Sequence, residues 1–219
     1  MREAVIVSTA RTPLTKSHRG EFNATPGPQL AAYSVKAAVE RSGIEPELIE
    51  DLVMGCGYPE GITGKNIGRQ TALRAGLPLS VAGMVASRFC ASGLQSVAIA
   101  AGRIVAEGVP AMVAGGVESI SAIRAGNPAD IDPWLQEHKP DLYMAMIDTA
   151  DIVAHRYGIS REDQDAFSLQ SQQRTAAAQQ AGVFADEIVP CTTRMMEKNK
   201  ETSEVTYREV TATHDNCNR

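Results

Sequence analysis

VAGMVASRFCASGLQSVAIAAGRIVAEGVPAMVAGG, residues 81–116, places a long apolar run between two short ones. The first short run, Val81 to Ser87, has the length of a buried strand, and so has the last, Ala111 to Ala114. The central run, Ser92 to Glu107, has helical length and apolar residues on one face. A strand, a helix and a second strand in this order predict two parallel strands joined by a crossover helix.

The same alternation continues towards the amino terminus. Short apolar runs predict strands at Ala4 to Ser8 and Leu52 to Met54, and helical patterns span Leu30 to Arg41 and Asn66 to Ala75. Gly43, just after the first of these helices, suits a left-handed helix end. Strands that alternate with helices predict an α/β fold with a largely parallel sheet.

The second half of the chain differs in amino-acid composition and in the pattern of its predicted elements. Residues 122–142 are rich in Pro, Asp and Gly, which favours a surface excursion over a strand. Two helices are predicted after it, at Ala145 to Tyr157 and Arg161 to Ala181, and short strands at Glu187 to Thr193 and Val205 to Thr213.

Composition narrows the class of function. The 219 residues include 43% apolar residues and 18 glycines, enough to bury a sizeable core. A net charge of -5 without basic runs argues against a nucleic-acid partner and a polybasic membrane patch. No signal peptide is recognisable, and no apolar stretch is expected to reach the roughly 18 residues of a membrane span. We therefore expect a cytoplasmic protein.

Four cysteines, Cys56, Cys90, Cys191 and Cys217, are widely spaced and match no zinc pattern, so we expect free thiols and no metal site. Cys90 differs from the others because it lies between the end of a predicted strand and the start of a predicted helix. Unpaired N–H groups and the dipole at a helix start favour a thiolate and a developing oxyanion. The local pattern alone leaves open an ordinary buried cysteine.

Several motifs follow one another along the chain. A short one is Arg69-Gln70. The longer ones are Val5-Ile6-Val7-Ser8-Thr9-Ala10-Arg11-Thr12-Pro13, Arg88-Phe89-Cys90-Ala91-Ser92-Gly93-Leu94-Gln95, Ala114-Gly115-Gly116-Val117-Glu118-Ser119-Ile120-Ser121, Tyr157 to Asp165 and Ser168 to Arg174. In this order the motifs resemble those of the thiolase family, over its amino-terminal half and most of its lid domain, and Arg69-Gln70 resembles part of its second helix.

The resemblance implies a layered α-β-α core domain, one of two such halves in the family, over residues 1–118. An inserted α+β lid domain, truncated at its end, would occupy residues 119–219. The implied chemistry is acyl transfer between coenzyme A thioesters, either thiolytic cleavage of a 3-ketoacyl-CoA or condensation of acetyl-CoA. Cys90 would be the nucleophile that becomes acylated. Coenzyme A is a substrate here, and no cofactor or metal is implied.

The resemblance also implies that catalytic groups are missing. The Gly-His-Pro histidine, the Asn-Glu-Ala-Phe asparagine and the Cys-x-Gly-Gly cysteine of the family belong to its second half, and the chain contains none of these motifs. His18, His138, His155 and His214 have the wrong neighbours for the first. We therefore expect a partner, a complementary carboxyl-terminal thiolase chain, with dimers or tetramers of such pairs. A fragment of a longer chain is the alternative.

Two residues resemble contacts to coenzyme A in the family. Arg219 corresponds to a lid arginine against the nucleotide end of CoA, and Met146 to a methionine that lines the acyl or pantetheine pocket. Ala145 stands where the family has a histidine. Two other functions stay open: a ketoacyl synthase that uses carrier-protein thioesters, and a non-catalytic thiolase-like protein that binds acyl-CoA.

Overall fold

The structure is a computed structural model that describes residues 2–123 and 131–218. The helices are α1 (Gly27–Ser42), α2 (Ile67–Arg74), α3 (Ser92–Ala106), α4 (Pro133–His138), α5 (Met146–Tyr157) and α6 (Arg161–Gln180). The strands are β1 (Ile49–Gly55), β2 (Ala82–Ala86), β3 (Ala111–Gly116), β4 (Cys191–Lys198) and β5 (Val205–Ala212). Single 3-10 turns occur at Pro46–Leu48, Gly61–Thr63, Ile120–Ala122 and Pro140–Tyr143.

Three parallel strands form the main sheet, in the order β2-β1-β3. Helix α2 lies between β1 and β2 in the chain, and helix α3 lies between β2 and β3. In the sheet, β2 and β3 flank β1, so the two connections run across the sheet in opposite directions. Because such crossovers are right-handed, opposite directions place α2 and α3 on opposite faces of the sheet. Helix α1 packs beside α2. The predicted α/β class with helical layers on a parallel sheet is confirmed.

Local signals explain where the elements end. Gly43 ends α1 in the left-handed conformation, with φ of 65°, as predicted. The Asn66 side chain accepts the Arg69 N–H and so starts α2. Glycines let α2 lie directly on β2, since a Cβ at Gly68 would come within 2.3 Å of the Met84 carbonyl oxygen. These contacts fix the helix against its strand.

The chain divides into two compact units, Met1–Ile123 with Phe184–Cys217, and Arg124–Val183 with Asn218–Arg219. In the first unit, Leu52, Val53 and Met54 of β1 are fully buried in the core. The antiparallel β4–β5 hairpin belongs to the same core through Cys191 and Ala212. The boundary expected between residues 118 and 119 stays a prediction.

The second unit carries α4, α5 and α6. Ser160 starts α6 as predicted, because its hydroxyl accepts the Asp163 N–H at 3.0 Å. Trp134 stacks on His138 with ring centroids 4.4 Å apart. Residues 131–142 of the expected surface excursion form a short helix and a 3-10 turn, and residues 124–130 lie outside the described residues.

Residues Ala4 to Ser8 do not form the buried strand that the sequence predicts. The segment has no strand partner among the described residues, and Val5, Ile6 and Val7 are 71%, 76% and 60% exposed. Just after the segment, Arg11 forms one isolated parallel bridge with Ile188. A strand needs a ladder partner, and the sequence pattern cannot show whether one is available.

The expectation that no apolar stretch reaches the length of a membrane span is wrong. Residues 89–106, mainly α3, give 18 residues with a mean hydropathy of 1.4. Length and composition are weak evidence for a span, because the core helix of a soluble protein passes the same test. Helix α3 connects two strands of the main sheet, and 17% of this window is buried.

Candidate active site

Cys90 lies on the exposed turn between β2 and α3. The N-cap residue of α3 is Ala91, whose methyl side chain makes no capping hydrogen bond. Backbone N–H groups of the first turn are therefore left without a side-chain acceptor, and the positive end of the helix dipole lies beside Cys90. The turn thus presents a thiol to solvent next to groups that favour negative charge.

The backbone around Cys90 is strained. Phe89, directly before it, has a φ of 47°, which a residue with a large side chain rarely adopts. The Ser92 hydroxyl holds this turn, because it accepts the Arg88 N–H at 2.8 Å and donates to the Phe89 carbonyl at 2.6 Å. Ser92 is buried. Strain of this kind persists only where the surroundings fix it, and it concentrates at functional sites.

The carboxyl ends of the three parallel strands meet at this turn. A Cβ at Gly55, the last residue of β1, would come within 2.4 Å of the Ser92 carbonyl group. Glu118, just after β3, accepts the Gly57 N–H at 2.8 Å. The backbone of the first turn of α3 therefore packs directly against the backbone of Gly55. The site lies at the carboxyl ends of the parallel strands, where such sheets commonly bind ligands.

The other cysteines lie in different environments. Burial and then the charge of Glu118 raise the pKa of Cys56, whose thiol lies 3.8 Å from that carboxylate. Burial raises the pKa of Cys191 to about 11. Cys217 is exposed. Cys56 and Cys191 therefore stay protonated thiols near neutral pH and are poor nucleophiles.

No described residue makes a hydrogen bond to the Cys90 sulfur. Two histidine rings bond elsewhere, since His138 Nδ1 contacts the Trp134 carbonyl oxygen and His214 Nδ1 contacts the Thr213 hydroxyl. The hydrogen bond of His18 is made by its backbone N–H to the Ser121 hydroxyl. His155 lies in the last turn of α5. None of the hydrogen bonds of the described residues therefore joins a base to the Cys90 thiol.

Met146 and Arg219 are the two residues expected to contact coenzyme A. Met146 belongs to the second unit, where it is the first residue of α5 and its side chain is 80% exposed. Arg219 lies outside the described residues. Both assignments stay predictions.

Arg11 ties the amino-terminal segment to the end of the first unit. Its guanidinium makes a two-pronged ion pair with Asp215, at 2.7 and 2.9 Å, and a further one with Glu187 at 2.7 Å. The bond from Arg11 holds the pKa of Asp215 below its usual range. Arg11 is therefore a structural residue.

The fold is that of one known family. The family model "Thiolase, N-terminal domain" matches residues 4–218, so the chain belongs to the thiolase family. The resemblance seen in the sequence motifs is confirmed.

The relatives include well-matched thiolases. The chain is 44% identical over 191 residues to a 3-ketoacyl-CoA thiolase of Bacillus subtilis (strain 168), covering 87% of this chain and 49% of that protein. It is 41% identical over 201 residues to an acetyl-CoA acetyltransferase of Chromobacterium violaceum, covering 86% and 51%. A solved structure, the Bacillus anthracis acetyl-CoA acetyltransferase, matches with a TM-score of 0.82 and 28% identity over 100% of this chain and 56% of that chain. The chain spans about half the length of the curated relatives it matches.

Sequence reasoning missed two features of the site. Nothing in the sequence reveals the left-handed Phe89, because that conformation is normally associated with glycine. The part played by Ser92 was also missed. A small hydroxyl residue two positions after a candidate nucleophile, at the start of a helix, was the available signal.

Proposed function

We propose that this chain is the nucleophile-bearing part of a thiolase, which transfers acyl groups between coenzyme A thioesters with Cys90 as the acylated residue. The observation that carries the proposal is the geometry of the turn. An exposed thiol lies at the uncapped start of α3, on a strained loop that Ser92 fixes. Membership of the thiolase family supports the same chemistry.

In the proposed reaction, the Cys90 thiolate attacks the thioester carbonyl carbon of acyl-CoA. A carbon–sulfur bond to Cys90 forms, the bond to the CoA sulfur breaks, and CoA leaves as a thiolate that takes up a proton. Backbone N–H groups at the start of α3 stabilise the oxyanion of the tetrahedral intermediate. In the second step, the thiolate of coenzyme A or the carbanion of acetyl-CoA attacks the carbonyl carbon of the Cys90 thioester, the bond from that carbon to the Cys90 sulfur breaks, and Cys90 leaves as the thiolate.

Efficient turnover needs a base that the described residues do not bring to Cys90. We propose that a complementary carboxyl-terminal thiolase half supplies the base and a proton-exchanging cysteine, and that dimers or tetramers of such pairs form. General bases commonly contribute about 100-fold to 10,000-fold in rate. Acyl-CoA is the proposed substrate, and Arg219 and Met146 are its proposed contacts.

Acetyl labelling tests the assignment of Cys90. The chain is incubated with acetyl-CoA, alone and with the part of the Bacillus subtilis thiolase that it does not match, and intact mass is measured. One acetyl group per chain is expected, absent in Cys90→Ala and retained in Cys217→Ala, which removes the other exposed cysteine. Acetylation of Cys90→Ala to the same extent would refute the proposal.

The same assay distinguishes the two alternatives. Binding of acyl-CoA with no labelling in any mixture indicates a non-catalytic binding protein. Labelling from acyl carrier protein but not from acetyl-CoA indicates a ketoacyl synthase. Either result excludes the proposed thiolase reaction.

A further inference from the structure

The side chain of Glu118 is fixed just beyond the end of β3. Val117, the residue before it, is buried, and its N–H donates to the Gly55 carbonyl at 3.0 Å, so the backbone stays attached to the end of β1. One carboxylate oxygen of Glu118 accepts the Gly57 N–H at 2.8 Å, and the other accepts the Cys56 thiol at 3.8 Å. Both oxygens therefore bond to the short segment that follows β1.

The buried Cys56 thiol acts here as a hydrogen-bond donor. Burial and then the charge of Glu118 raise its pKa, so the thiol stays protonated near neutral pH and can donate to the carboxylate. A carboxylate is an acceptor-only group, which suits a position that offers it two donors. Glu118 thus binds residues 56–58, which form the support segment, at two adjacent points.

The support segment contacts the residues that come directly before the nucleophile. A Cβ at Gly57 would lie 3.4 Å from the Phe89 carbonyl group, so the two backbones are in close contact. The Tyr58 and Phe89 rings meet edge to face, with centroids 6.0 Å apart. The Ser87 hydroxyl donates to the Gly57 carbonyl at 3.4 Å. Three contacts thus join the support segment to the turn that carries the nucleophile.

Two groups contact the Phe89 carbonyl. The Ser92 hydroxyl donates to its oxygen at 2.6 Å, and the Gly57 backbone packs against the same carbonyl. Phe89 keeps a φ of 47°, a strained value that persists only where the surroundings fix it. Glycine is needed at position 57, since a Cβ there would come within 2.7 Å of the Glu118 carboxylate. The support segment is therefore part of what holds the strained backbone in place.

We infer that Glu118 is a positioning residue for Cys90: it fixes the support segment, which holds the Phe89 backbone and so places the nucleophile at the start of α3. No hydrogen bond among the described residues joins Glu118 to the Cys90 sulfur, so its effect passes through the support segment. A reacting group misplaced by about 1 Å can lose about 100-fold in rate, which makes such support important. The inference rests on the proposed role of Cys90 in acyl transfer.

Two conservative variants separate the reach of the Glu118 side chain from its charge. Glu118→Asp keeps the charge but withdraws the oxygens by roughly 1.5 Å, beyond hydrogen-bond distance of the Gly57 N–H. Glu118→Gln keeps an acceptor oxygen at the same reach without the charge. Positioning requires the reach, so Glu118→Asp should lose the effect and Glu118→Gln should retain it. An electrostatic role of the carboxylate would give the reverse order.

Hydrogen exchange measures the order of the turn in the full chain without requiring acyl transfer. The backbone N–H groups of Ala91 and Ser92 donate to the Arg88 and Phe89 carbonyls at 3.0 and 3.1 Å. Exchange of these two amides, measured by NMR, should be at least about 10-fold faster in Glu118→Asp and change less than about 3-fold in Glu118→Gln. Unchanged exchange in Glu118→Asp, or equal acceleration in both variants, would overturn the inference.

Glu21→Asp is the matched control. Glu21 accepts the Asn216 side-chain N–H at 2.8 Å, the length of the bond from Gly57 to Glu118, but at a different place in the first unit. The same shortening should leave the exchange of the Ala91 and Ser92 amides within about 2-fold. Acceleration as large as in Glu118→Asp would indicate general loosening of the unit and would contradict a positioning role.

Acetyl transfer measures the consequence for the reaction. The chain is mixed with the part of the Bacillus subtilis thiolase that it does not match, and the rate of Cys90 acetylation is followed against acetyl-CoA concentration. In Glu118→Asp the maximal rate should fall about 10-fold to 100-fold, with half-saturation within about 3-fold, because positioning acts on the reacting atoms. An unchanged maximal rate would refute the inference. If no form of the chain is acetylated, the proposed thiolase reaction fails, whereas amide exchange still decides whether Glu118 fixes the turn.

Discussion

At the scale of the residue, position in the fold separates four cysteines of one chain. Cys90 is exposed beside a helix start, whereas Cys56 and Cys191 are buried and their thiols have raised pKa values. The Ser92 hydroxyl and the strained backbone of Phe89 define the turn that carries Cys90. Reactivity and geometry can be measured separately for each of these residues.

Alkylation should distinguish the cysteines. With a pKa of about 11, Cys191 is about 0.1% thiolate at pH 8, and it is also inaccessible, so iodoacetamide should leave it and Cys56 unmodified while Cys90 and Cys217 react. Peptide mass spectrometry after a timed reaction gives the result. A control in denaturant should modify all four, and reaction of Cys191 at the rate of Cys217 in the folded chain would contradict the assignment.

Two serines of α3 allow a matched test of the turn. Ser92→Ala and Ser96→Ala each remove a buried hydroxyl that makes two hydrogen bonds, and each should lower the free energy of unfolding by about 1–3 kcal/mol. Only Ser92 bonds to the residues before Cys90, so only Ser92→Ala should change the alkylation rate of Cys90. Urea titration and alkylation kinetics measure the two effects, and equal changes in rate would show that Ser92 does not position the turn.

At the scale of the element, one glycine in α2 is needed for close packing, whereas one glycine in α3 is not. In α2, Gly68 allows backbone contact with β2, whereas in α3 a Cβ at Gly102 would meet nothing within 4 Å. The first glycine is required by packing, and the second only weakens its helix. Helix α3 is stabilised mainly by its contacts with β1 and β3 rather than by its termini.

Alanine substitutions should therefore have opposite signs. Gly102→Ala should raise the free energy of unfolding by about 0.5–1 kcal/mol, because alanine is the better helix former. Gly68→Ala should lower it by about 1–3 kcal/mol, because the new methyl group would overlap the Met84 carbonyl. Thermal and urea unfolding of both variants give the signs, and a stabilised Gly68→Ala would refute the close contact.

At the scale of the whole molecule, the first unit is closed by contacts between distant parts of the chain. The Arg11–Asp215 ion pair joins residues 204 positions apart, and the β4–β5 hairpin, far along the chain, completes the core. The side chain of Asp215 is only 12% exposed, so this pair is shielded from solvent far better than a surface pair. The contribution of this ion pair to the free energy of unfolding should therefore depend on pH, through the protonation of the Asp215 carboxylate.

The pKa of Asp215 is lowered in the folded state, so its contribution is complete above its unfolded pKa, about 3.9. That contribution is lost as pH falls through the lower, folded pKa. Asp215→Asn should cost about 1–3 kcal/mol at pH 7 and much less near pH 2. Urea unfolding across this range measures the difference. Glu197→Gln, which breaks the exposed pair with Arg208, is the control and should cost under about 1 kcal/mol.

The sequence predicted the regular elements well where local chemistry decides them. Gly43 and Ser160 marked helix ends correctly, and the apolar runs around Cys90 predicted the β2-α3-β3 unit. The strand at Ala4 to Ser8 failed because a strand depends on a partner that its own residues do not encode. In the site, motif and position identified Cys90 as the candidate nucleophile, but the sequence did not reveal the left-handed conformation of Phe89, which any residue other than glycine rarely adopts.

The Arg11–Asp215 pair also sets an order of events on the ribosome. Because chains are made from the amino terminus, Arg11 is synthesised 204 residues before its acceptor. The three-stranded sheet and helices α1 to α3 are synthesised before Glu187 and Asp215, so Arg11 has neither of its acidic partners until the residues of that sheet have been made.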